Sequence, residues 1–143
     1  AWALLATIGA WVAVIDAITT WIPAVLAWTG WAGWIGAVVV TALSDHTAAI
    51  RAVIATAIIF AAWMIAWLIS RGGFGFSDVR ITPLWAAPAA ATGIDTIQVT
   101  VIAGLTLIAL YALIDRFRHH TTRFLPWAPS LCSGALIGLA IAH

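Results

Sequence analysis

The chain contains no lysine and no glutamate, and only 8% of its 143 residues are charged. Ordinary soluble domains carry roughly 25% charged residues. A chain this poor in charge cannot cover a water-facing surface, which excludes a soluble globular domain. A single cysteine, Cys132, excludes both a disulfide framework and a Cys-x-x-Cys zinc site. Its expected role is that of a small apolar packing residue. The six arginines are dispersed between apolar runs and the net charge is +1, so nothing points to a nucleic-acid partner. The first apolar run has neither a basic leader nor a cleavage motif, so it is not read as a removed signal peptide.

What the chain has instead is apolar surface: 64% of residues are apolar and the mean hydropathy is +1.10. The expected fold class is an all-α polytopic membrane protein with about six transmembrane helices, in one membrane-embedded domain over residues 1–143. Its partner is the lipid bilayer. Six apolar runs stand out, at 2–15, 22–43, 52–69, 81–93, 96–114 and 124–142. A full span needs about 20 residues. Run 2–15 is short, and run 81–93 is short and holds Pro83 and Pro88, which predicts a tilted, kinked or partly re-entrant helix.

Connectors between successive spans alternate sides. Segments 16–21, 70–80 and 115–123 share one side and carry Arg71, Arg80, Arg116, Arg118 and Arg123, whereas the other side carries only Arg51. The excess of arginine makes the first side cytoplasmic. Asp16 and Asp78 then lie together at the cytoplasmic face, and Asp45 and Asp95 lie opposite. Trp11, Trp21, Trp67, Trp85 and Trp127 fall near the same boundary, as an aromatic belt would. Trp28, Trp31 and Trp34 lie deeper with Gly30, Gly33 and Gly36 between them, a pattern expected of close helix packing, as is Gly134-Ala135-Leu136-Ile137-Gly138.

A carboxylate at the edge of the hydrocarbon layer is costly, so its default reading is functional. Two carboxylates held close cannot both ionise easily, so one stays protonated while its partner takes a proton from water. That is the chemistry of an aspartyl protease dyad. Taken singly, Asp78 can instead cap the helix that follows it, and Asp16 can simply end a span. Pro23 fits the first turn of a new helix, where its missing N–H costs nothing. Gly72, Gly73 and Gly75 give a backbone free to approach a substrate closely.

These residues resemble the type IV prepilin peptidase family, in its short form without a methyltransferase region. Asp16 followed by Ile22-Pro23 is similar to the family's first aspartate segment. Gly73-Phe74-Gly75-Phe76-Ser77-Asp78-Val79-Arg80 is similar to its Gly-x-Gly-x-Gly-Asp-Val-Lys/Arg segment, with Ser77 standing where the family has glycine. The resemblance implies a metal-independent, cofactor-free aspartic endopeptidase with Asp16 and Asp78 as catalytic residues. Its substrate would be the leader of a prepilin or pseudopilin, cut at the cytoplasmic face of a bacterial inner membrane, with no methyltransferase activity. Gly73, Gly75, Ser77, Arg80 and Pro23 would bind substrate or support the loops. If position 77 needs positive φ, serine there is strained by roughly 1–3 kcal/mol.

Two other readings remain open at this point: a small transporter subunit using the two aspartates as a proton or cation relay, and an inactive assembly partner built on the peptidase fold. The other polar residues have plainer expected roles. Asp45-His46 reads as a solvated loop, Asp95 as the cap of the next helix, Asp115 to His120 as a topogenic loop, and Arg80 as a candidate support for an ionised Asp78. His119 and His120 lack the third ligand that a metal site would need.

Overall fold

The computed structural model describes residues 2–19, 22–71, 75–119 and 128–141. The fold is all-α, with six helices among the described residues: α1 (Trp2–Thr19), α2 (Ala24–Ser44), α3 (His46–Ile69), α4 (Phe76–Thr92), α5 (Ile94–His119) and α6 (Ala128–Ile141). Each expected apolar run is matched by a helix. Among the described residues three helices are long and apolar enough to cross a membrane, namely α2, α3 and α5 through Ile114, and shorter apolar stretches occupy Thr7–Asp16 and Ala128–Ile141.

Burial follows the logic of a bilayer rather than of water. The exterior is aliphatic, with Ile18, Leu43, Ile69, Ile94 and Ile141 all widely exposed, while much of the interior is alanine, together with two aspartates. Lipid tails are as apolar as leucine, so helices associate through small residues that allow close approach. The α5–α6 contact shows the effect: a side chain at Gly134 would lie 2.7 Å from the Gly104 Cα. The stripe of glycines on α6 therefore packs as expected, and Cys132 is a buried core residue beside Ala128 and Ala135.

α4 is the hub. Thirteen of its 17 residues are buried, and it touches each of the other five helices. It runs as one helix through both prolines. The other five form a horseshoe around it, in the order α3, α2, α1, α6, α5, with each neighbouring pair in contact. Among the described residues α3 and α5 do not touch, so the horseshoe is open between them. Side chains tie the ring to the hub: the Trp31 indole N–H donates to the Arg80 carbonyl at 3.1 Å, and Arg51 Nη2 donates to the Ala91 carbonyl at 3.1 Å.

Local signals account for the helix ends. Pro23 precedes the first residue of α2 rather than occupying its first turn, and its carbonyl accepts from the Leu26 and Ala27 amides. Asp45, expected in a solvated loop, ends α2 and caps α3: its Oδ1 accepts from the Ala48 N–H at 2.9 Å. α3 ends at Ile69 with Ser70 as its cap, and Arg71 takes the left-handed conformation (φ 52) usual just past a helix C-terminus. Trp85 departs from the belt expectation. It is 6% exposed and packs in the core, with its ring against Gly9 of α1. Trp31 and Trp34 pack edge-to-face at 5.6 Å as deep packing residues, while Trp28 faces outward.

Candidate active site

Asp16 sits on the buried face of α1. Val12, Ala13 and Asp16 share that face by helical spacing, and Asp16 is only 4% exposed. The helix continues past it to Thr19, so Asp16 lies within a helix and does not open a connector. Its Oδ2 accepts a hydrogen bond at 3.2 Å from the backbone N–H of Ala128. Ala128 is the first residue of α6, where the N–H groups have no partner within the helix and the dipole is positive. The end of another helix therefore offsets part of the cost of burying an anionic Asp16.

Asp78 lies in the first turn of α4, ahead of that helix's apolar stretch, and is 9% exposed. Gly75 precedes the helix, and its backbone N–H hydrogen-bonds the Asp78 carboxyl. This is one half of a capping box, in which the third helical residue reaches back to the residue before the helix. The side chain thus does satisfy its own helix start, three residues in from the cap. The Thr82 hydroxyl, one turn along, donates to the Asp78 carbonyl at 2.6 Å.

The two aspartates meet electrostatically because α1 packs against α4. Burial raises the Asp78 carboxyl from its ordinary 3.8 to about 7, the charge of Asp16 adds to the rise, and the Gly75 N–H opposes it. At neutral pH Asp78 therefore carries a proton for much of the time.

The remaining expected site residues divide. Gly75 stands against Asp78: a side chain there would lie 3.3 Å from Asp78 Oδ2 and 2.9 Å from Ser77 Oγ. Gly73 lies outside the described residues, as do His120, Trp21 and Trp127. Ser77 is helical, in the first turn of α4, and Arg71 is the only described non-glycine residue with positive φ. The strain expected at Ser77 is absent, because the aspartate segment begins a helix there instead of turning. Arg80 does not serve the Asp78 charge. Its guanidinium lies over the Phe76 ring, 5.4 Å from the centroid, and Asp16 and Gly75 are what Asp78 feels. Pro23 supports the start of α2. Asp95 falls in the first turn of α5.

The sequence reading missed the Ala128 amide. Its one local signal is Pro129, a residue suited to a helix's first turn. An apolar groove of about 430 Å³ opens in the gap between α3 and α5, with Ala62, Trp63 and Ala66 on one side and Val101 and Leu105 on the other. Its floor includes Thr82 and Trp85 of α4, so it reaches within one turn of Asp78. The chain matches no family model, no curated protein and no solved structure.

Proposed function

We propose that the chain is a membrane aspartyl endopeptidase that removes the leader of a type IV prepilin or pseudopilin at the cytoplasmic membrane face. One observation carries the reading: Asp16 and Asp78, on different helices and both buried, share one site in which their environments differ. Asp16 receives an amide N–H from a helix terminus, which offsets part of what burial costs its anion and which Asp78 lacks from that helix. Asp78 is held protonated towards neutral pH by burial and by that anion. Environments that push two carboxyls apart assign the base and the acid.

In this mechanism Asp16 takes a proton from water as the water oxygen bonds to the scissile carbonyl carbon. Asp78 gives its proton to the carbonyl oxygen, leaving a tetrahedral diol. Collapse breaks the C–N bond: the proton on Asp16 passes to the leaving nitrogen, and one diol proton returns to Asp78. Water and the two carboxyls balance the reaction, with no cofactor or metal in any step. The open side of the horseshoe beside Thr82 gives a membrane-embedded precursor a lateral approach to the pair. The excess of arginine on the Asp78 side of the spans supports a cytoplasmic site.

The test is direct. The reconstituted chain is incubated with a precursor carrying a short basic leader before an apolar helix, and the products are weighed by mass spectrometry. A cut at the junction supports the reading. Proton leak through liposomes without any cut supports the relay reading in its place.

A further inference from the structure

We infer that the gap between α3 and α5, at the end remote from the aspartates, is a binding site for one membrane phospholipid, with its phosphate at Arg51 and an acyl chain in the groove below. A second cavity of about 370 Å³ occupies this end. Arg51 stands in its wall, and Ile54, Ile58 and Ile59 of α3 face Ile94 and Ile97 of α5 across a floor that includes Ala90. α3 and α5 both belong to the membrane-crossing class and do not touch, so the groove is open to lipid.

Arg51 supplies the selectivity. A guanidinium has five N–H donors. Nη2 holds the Ala91 carbonyl, Nε has no partner, and no carboxylate among the described residues pairs with the charge. Asp45, the nearest acid in sequence, is engaged as the α3 cap. A cation with donors to spare at the mouth of an apolar groove fits an amphiphile with an anionic head. The depth agrees: from Arg51 to Ile59 the helix rises about 12 Å, against about 15 Å for one leaflet of hydrocarbon. Ala91 lies about 20 Å along α4 from Asp78 by the same rise, so this site is separate from the aspartate pair and holds whether or not the chain is a peptidase.

The experiment titrates the full chain in detergent with phosphatidylglycerol, and separately with a diacylglycerol of the same chains, and counts bound lipid by native mass spectrometry. Wild type is expected to bind one phosphatidylglycerol more tightly than the diacylglycerol. Arg51→Gln should weaken it about fivefold, the factor for one arginine at an anionic surface, and Arg51→Lys should retain most of it. Ile58→Trp, which fills the groove, should weaken binding, and Val40→Trp on the exposed face of α2 should not. Equal binding of the two lipids by wild type overturns the inference, and this comparison decides even if a variant fails to fold. Arg51→Gln binding as wild type does also overturns it.

Discussion

Asp16 of α1 accepts the backbone N–H of Ala128, the first residue of α6, at 3.2 Å. One carboxylate thus serves as half of a candidate catalytic pair and as the cap of a helix 112 positions away in sequence. Asp16→Ala leaves a buried amide without a partner, at a cost of about 1–3 kcal/mol. Asp16→Asn keeps an acceptor oxygen and should cost much less. Thermal melting of both variants in the same detergent checks this: Ala should melt well below Asn, and equal melting temperatures would remove the structural role.

Asp78 gives stability a pH dependence whose sign follows from its raised pKa. The folded value, about 7, lies above the ordinary 3.8, so folding favours the protonated form. That contribution is full below about pH 4 and is lost as pH rises towards 7. Melting temperature should therefore fall between those limits and then level off. Asp78→Asn, uncharged at every pH, should flatten this part of the curve. Cleavage that needs a protonated Asp78 should decline above about pH 7 in the same series.

Ser77→Gly should gain nothing. Ser77 is helical, so glycine relieves no strain there and weakens the first turn of α4. The expected cost is about 0.5 kcal/mol, with no increase in cleavage. A rise in activity would mean that the segment turns during catalysis in a way the resting helix does not.

Two glycines should respond oppositely to alanine. A Cβ at Gly134 would meet the Gly104 backbone, with its Cα at 2.7 Å, so Gly134→Ala must push α5 and α6 apart at about 1–3 kcal/mol. A Cβ at Gly36 meets nothing within 4 Å, and Gly36→Ala should stabilise α2 by about 0.5–1 kcal/mol. Melting temperatures of the two variants, read against wild type, check the contrast.

Much of this is legible in the amino-acid sequence. Long apolar runs force helices, so all six were found, and the cost of a carboxylate in hydrocarbon singled out Asp16 and Asp78. The two prolines left run 81–93 ambiguous. Its burial on every side, which makes α4 the hub, is set by packing against five other helices and not by its own pattern. Ser77 was misread because a glycine-rich segment suggests a turn, whereas the helix begins at Phe76. Arg80 was misassigned because closeness in sequence suggested a partner for Asp78, and the aromatic ring of Phe76 took the guanidinium instead. Trp85 looked interfacial by position, but small residues on α1 admit its ring to the core. The Ala128 contact joins segments 112 positions apart, and Pro129 marks only the helix start and not its partner.

The most direct test of the central claim is cleavage of a prepilin-like precursor by wild type, Asp16→Asn and Asp78→Asn, each reconstituted at equal amounts with folding verified by melting. Asparagine keeps the shape and cannot cycle a proton. The dyad predicts cleavage by wild type and a loss of about a hundred- to ten-thousand-fold in each single variant, the usual contribution of a positioned acid or base. Full cleavage by either folded variant would contradict it.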